Sequence, residues 1–172
     1  MRTKEVAQVK FDPATALALK DIALWSTSLT RGDVEYTPGR HLQTGTWQMM
    51  RGVKPEMLSV EFNDGESANV LRAIVSMGVR FVEESQEAVA DPDGNEPVGC
   101  LVLFTLEASF AVQYECLDDQ PSPTQEEFND FVNFNCVHNA WPFWRQHVFD
   151  TLKRASLPVP EVPFFAGRAS SR

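Results

Sequence analysis

One stretch of this chain leaves little choice of conformation. From Val102 to Glu115 the residues alternate in character. Val102, Phe104, Leu106, Ala108, Phe110, Val112 and Tyr114 fall on one side, and Leu103, Thr105, Glu107, Ser109, Ala111, Gln113 and Glu115 on the other. Successive side chains point to opposite faces of a strand, whereas the same spacing would scatter the apolar residues around a helix. A strand this long with one apolar face requires antiparallel neighbours and a layer to cover that face.

Neighbours of the right kind lie upstream. Leu71, Ala73, Val75, Met77, Val79 and Phe81 share one face of a run from Asn69 to Glu83, with Val70, Arg72, Ile74, Ser76, Gly78, Arg80 and Val82 opposite. Leu58, Val60 and Phe62 alternate with polar residues, and Asn63-Asp64-Gly65-Glu66 reads as a tight turn between these two strands. Asp91-Pro92-Asp93-Gly94 marks a further turn. A first strand is expected from Asp21, after a short helix that Asp12 caps and Pro13 opens. The segment Arg31 to Pro55, with Gly32, Pro38, Gly39, Gly45, Gly52 and Pro55, reads as a long crossover loop.

The covering layer follows in sequence. After the polar Asp118–Pro123 linker, Thr124 and Glu127 have capping-box spacing. Phe128, Phe131, Val132, Phe134, Val137, Trp141, Trp144, Val148 and Leu152 then recur with helical period, and Pro142 is expected to kink or break the helix. Beyond Ser156, prolines at 158, 160 and 163 forbid a helix and hold Leu157 to Phe165 extended. The expected fold is α+β: a four-stranded antiparallel sheet with a long crossover loop, packed against one long kinked helix. At 172 residues and 43% hydrophobic this is a single domain over 1–172, with 1–20 as lead-in and 166–172 as a flexible tail.

Composition narrows the function. The net charge of −9 and pI near 4.8 oppose nucleic-acid binding. No apolar run approaches the length of a membrane span, and the N-terminus leads into no signal-peptide core, so a cytoplasmic protein is expected. The charge is concentrated: Glu56 to Asp130 carries 17 acids and two bases, whereas each flank is net +3. That acidic block suits either plain solvation or a docking face for a basic partner. Chemistry has few candidates. His138 and His147 are separated by about 14 Å of helix rise, too far to share a metal. Cys100, Cys116 and Cys136 form no CxxC pair, and no phosphate loop or nucleophile elbow occurs. The expectation is a non-enzyme without cofactor or metal. The surplus is aromatic, with 4 Trp and 12 Phe, and Trp25, Trp47, Phe134, Phe143, Phe149, Phe164 and Phe165 are hard to place in one core.

Ala140-Trp141-Pro142-Phe143-Trp144-Arg145 followed by Thr151-Leu152-Lys153-Arg154-Ala155-Ser156-Leu157-Pro158 resembles the helix signature of the SecB protein-export chaperones, supported by Gly78-Val79-Arg80-Phe81 upstream. The resemblance implies an ATP-independent holdase. Such a protein is a homotetramer, a dimer of dimers, that binds unfolded polypeptides in apolar grooves and docks the motor SecA on an acidic sheet face. Carried onto this chain, it implies client binding by Trp141, Phe143, Trp144, Leu157, Val159, Val162, Phe164 and Phe165, and docking by Glu107 and Glu115. In the export chaperones a second helix and an acidic tail follow the exit loop, whereas seven Gly/Ser/Arg-rich residues follow Phe165 here. That departure brings forward the alternative within the resemblance: a dedicated antitoxin chaperone or adaptor with one client and no SecA docking.

Overall fold

The computed structural model describes residues 11–32, 45–61, 67–83, 101–117 and 123–165. The expected turns at 63–66 and 91–94, Cys100 and the 166–172 tail lie outside these residues. The elements run α1 (Pro13–Ala16), β1 (Leu17–Arg31), β2 (Gly45–Glu61), β3 (Ser67–Glu83), β4 (Leu101–Cys116), α2 (Gln125–Phe131), a π-helical turn (Val132–Cys136) and α3 (Val137–Arg154). All four strands are antiparallel, in the order β1-β4-β3-β2. The α+β architecture expected from the sequence is the one observed.

The two strands with the strongest alternation occupy the centre. Leu71 to Phe81 of β3 and Phe104 to Tyr114 of β4 turn the same face toward the helix and are nearly all fully buried. At the Phe81/Val82 irregularity Phe81 pairs Phe104 and Val82 pairs Val102, so Leu103 is the extra residue. This bulge buries Leu103 rather than Val102, against strict alternation.

The edge strands depart further from expectation. Half of the expected Arg31–Pro55 loop is strand: β2 begins at Gly45 and pairs β3 without a register shift as far as Glu61↔Ser67. Gly52 and Pro55 sit inside it because an edge strand has amides facing away from the sheet and tolerates a missing one. Likewise β1 begins at Leu17, with bulges at Leu19/Asp21 and Leu24/Ser26.

The helical layer starts as expected. Asp12 Oδ1 accepts from the Ala14 amide, 3.1 Å away. Thr124 and Glu127 form the reciprocal capping box. Pro142 does not end α3, which runs through it; the departure from α geometry is the π-helical turn at 132–136. Val137, Ala140, Trp144, Val148 and Leu152 form the buried stripe. At its end Leu157 N–H bonds Leu152 O at 2.9 Å and Ser156 N–H bonds Lys153 O at 3.1 Å, a Schellman closure with Ser156 at φ 54°.

Widths explain what stays uncovered. Four strands span about 19 Å across at roughly 4.8 Å spacing, and one helix with side chains is about 10–12 Å wide. A single helix therefore roofs the central pair fully and the edge strands only in part, with Leu17, Ile22, Leu29, Trp47 and Val53 packed half-buried against the core. On the helix side of the edge strands, Leu19, Leu24, Met49 and Met57 remain 43–56% exposed.

Candidate functional site

The exit segment, residues 157–165, runs back along α3 with its prolines keeping it extended. Two side chains of α3 hold it. Trp141 donates its indole N–H to the Pro163 carbonyl at 2.8 Å, and Arg145 donates Nε–H to the Val162 carbonyl at 3.0 Å. Leu157, Pro160 and Val162 turn inward and complete the core. The last two residues turn elsewhere. Phe165 packs against Phe134 and Trp141, each at 5.5 Å between ring centroids, and against His138 at 5.7 Å. The Arg51 guanidinium of β2 lies 5.6 Å from the Phe165 ring. Phe164 is 81% exposed, and the Arg145 guanidinium lies 4.1 Å from its ring centre.

Phe164 stands between two hollows. One, about 570 Å³, is lined by Arg51, Asn133, Phe134, Trp141, Pro163, Phe164 and Phe165. The other, about 560 Å³, lies against the α3 surface at Pro142, Arg145, Gln146 and Phe149, with Val159 to Phe164 as its far wall. Rings, proline edges and guanidinium faces dominate both linings. Such surfaces take apolar side chains with little directional demand.

The residues expected to bind clients thus divide. Trp144 is 1% exposed and lies in the centre of the core, and Leu157 and Val162 are buried with it. Trp141, Val159 and Phe165 are half-buried in the hollow walls, whereas Phe164 and Phe143 stand exposed. Sequence reasoning missed Arg51, which it placed in a loop; pairing of Arg51 with Met77 turns it to the helix side. Phe134, one of the surplus aromatics of the sequence, lines the hollow beside β2.

The expected docking residues lie on the opposite, uncovered face of the sheet. Glu107 is exposed, and its carbonyl accepts from Thr27 Oγ1 at 3.2 Å. Glu115 is ion-paired with Lys20. On the same face Glu56 accepts from Arg72 Nε at 2.5 Å, and the Arg72 guanidinium lies 5.1 Å from the Trp25 ring. This hydrogen bond holds the Glu56 carboxyl below the ordinary carboxylate range. Register puts Lys20, Lys54, Arg72 and Arg80 among the acids of this face. Nine of the 17 acids in the central block lie outside the described residues.

Burial shifts the titratable groups of the core. Burial pushes the Cys136 thiol up to about 12 and Cys116 upward as well, so both stay protonated. Burial also lowers His147, partly opposed by Asp150; its Nε2 lies 2.8 Å from Thr27 Oγ1, tying α3 to β1. Burial raises the Tyr114 phenol, which accepts from Asn139 Nδ2 at 2.7 Å. Among the described residues no three His, Cys, Asp or Glu side chains gather as metal ligands, and no helix is long and apolar enough to cross a membrane.

No family model matches the sequence. No curated protein matches it either. Among solved structures, the chain is similar to the Mycobacterium tuberculosis Rv1957 SecB-like chaperone in complex with a ChAD peptide from the Rv1956 HigA1 antitoxin. Identity is 16%, the match covers 89% of this chain and 90% of that one, and the TM-score is 0.57. The fold is SecB-like. In this SecB-like fold the long helix, the proline-bearing exit segment and the sheet edge at β2 meet at the aromatic hollows just described.

Proposed function

We propose that this chain is an ATP-independent holdase that binds non-native polypeptide segments along the exit segment. The observation that carries the reading is the presentation of Phe164, almost fully exposed between two apolar hollows, at the end of a segment anchored by Trp141 and Arg145. Phe164 adjoins Phe149 across one hollow and Phe134, Trp141 and Phe165 across the other, and contiguous apolar surface of this kind marks binding sites. Trp141, Val159, Phe164 and Phe165 with Phe143 form the client surface, and Trp144, Leu157 and Val162 support it from the core. No catalytic step is assigned. The protein works in the cytoplasm as a homotetramer, which covers part of the exposed apolar flanks and the sheet edges.

A second reading has a specific observation behind it. The similar SecB-like chaperone was solved with an antitoxin peptide. On that reading this chain serves one dedicated client of the same class rather than exported proteins at large, and Glu107 and Glu115 dock no SecA. Suppression of aggregation of several unrelated unfolded proteins at chain-equivalent ratios tests the general holdase. Protection of none of them, with tight binding to a single co-purified chain, selects the dedicated chaperone. Protection of none and no co-purified chain refutes both.

A further inference from the structure

We infer that the hollow beside β2 selects apolar segments that carry carboxylates next to their aromatic residues, over the same segments with neutral or basic flanks. The inference deepens the client-binding reading and rests on it.

The argument is one of charge placed where the chain as a whole would not predict it. The protein is net −9. Yet among the described residues the hollow of about 570 Å³ is lined by Arg51 and Asn133 with rings and a proline, and by no carboxylate. Glu161, the acid of the exit segment, lines the neighbouring hollow instead. The guanidinium of Arg51 lies over Phe165, and that of Arg145 over Phe164, at 5.6 and 4.1 Å from the ring centres. Among the described residues neither arginine has a carboxylate within ion-pair distance. Arg145 lines the neighbouring hollow with Glu161 and spends Nε–H on the Val162 carbonyl, so the charge offered to the hollow beside β2 is that of Arg51. A guanidinium lying on a ring presents its N–H edge beside the ring, so an aromatic side chain and an adjoining carboxylate can be received together.

Range decides which charge the client senses. At physiological ionic strength the Debye length is about 8 Å. The net charge of the whole chain is therefore largely screened, whereas a contact pair with Arg51 is not. A partly exposed guanidinium–carboxylate contact corresponds to an affinity gain of about two- to fivefold.

Three labelled peptides test this by fluorescence anisotropy on the full chain at physiological salt. They share one Phe/Leu spacing and differ only in having Glu, Gln or Lys at every intervening position. The expected order is Glu, then Gln, then Lys, with the Glu peptide about two- to fivefold tighter than the Gln peptide. Arg51→Gln is expected to lower that ratio toward one, and Arg51→Lys to keep most of it. Equal binding of all three peptides, or tightest binding of the Lys peptide, overturns the charge selection while leaving the client surface standing. Failure of all three to bind overturns the selection and the client-binding reading together. A change of oligomeric state in Arg51→Gln by light scattering assigns the guanidinium to a second copy of the chain, which also overturns the inference.

Discussion

Phe164 and Phe165 are neighbours in sequence with opposite surroundings, and truncating each separately tests the client surface. Phe164 is 81% exposed in the folded chain, and Arg145 is its close support. Phe164→Ala therefore removes little folded-state burial. The loss is one exposed cation–π contact, worth about 0.5–1 kcal/mol. Phe165 touches Phe134, His138 and Trp141 and lies under Arg51, so Phe165→Ala forfeits real packing and is expected to lower stability by about 1–3 kcal/mol. Binding should rank the other way. A client that covers the Phe164 ring gains roughly 1.5–3 kcal/mol from its burial, and each 1.4 kcal/mol is about tenfold in affinity. Phe164→Ala is thus expected to weaken an apolar client peptide by about ten- to a hundredfold at nearly unchanged stability. Urea unfolding reads the first quantity and anisotropy titration the second. Two results would refute the reasoning: a Phe164→Ala chain that loses more than about 2 kcal/mol or its assembly, which makes the ring an interface residue, or one that binds clients as the parent does.

Three other outcomes are expected. Ser156→Gly relieves a non-glycine residue at φ 54° in the Schellman closure and should stabilise the chain by up to about 1 kcal/mol in the same unfolding assay. The Glu56 carboxyl is held below its ordinary range by Arg72, so its contribution is present above the unfolded carboxylate value and lost as pH falls through the folded one. Glu56→Gln should accordingly destabilise the chain near neutral pH, by an amount that vanishes in acid; a pH-independent difference counts against the pair. Burial lowers His147 below 6.5, so the unfolded chain takes up that proton first and stability falls as pH drops through the unfolded value. His147→Gln should flatten the slope of stability between about pH 7 and 5.

The parts of the fold that were legible in the sequence are those whose side chains meet the core. Leu71 to Phe81 and Phe104 to Tyr114 alternate because one side of each strand is roofed by the helix, and burial enforces the pattern. The capping residues Asp12 and Thr124 were legible because their chemistry is local. β2 was not legible over Gly45 to Pro55. It lies at the sheet edge, most of its residues are solvated on both faces, and nothing forces an alternation that a reader could detect. Its Gly52 and Pro55 are breaking signals in isolation and harmless at an edge. Trp144 illustrates a different gap. It recurs with Val137, Val148 and Leu152 at helical spacing, which is the signal of a core residue, whereas the Trp141-Pro142-Phe143-Trp144 cluster suggests a surface motif; the stripe prevails. Phe164 and Phe165 look alike in sequence, and the difference between them comes from Arg51 and Phe134, which a linear reading cannot bring near.

The way the exit segment is tethered also bears on how a bound chain would lie. Amide hydrogens are missing at residues 158 and 160 along one side of the segment and at 163 along the other. The carbonyls of Val162 and Pro163 are already taken by Arg145 and Trp141. On both sides a regular backbone ladder to a neighbour is interrupted, with Val159 and Glu161 keeping free amides on one side only. Recognition there falls chiefly to side chains, and rings in hollows do not register the direction in which a polypeptide runs. A peptide and its reversed sequence, which a strand-pairing groove would tell apart at once, are near equivalents to this surface.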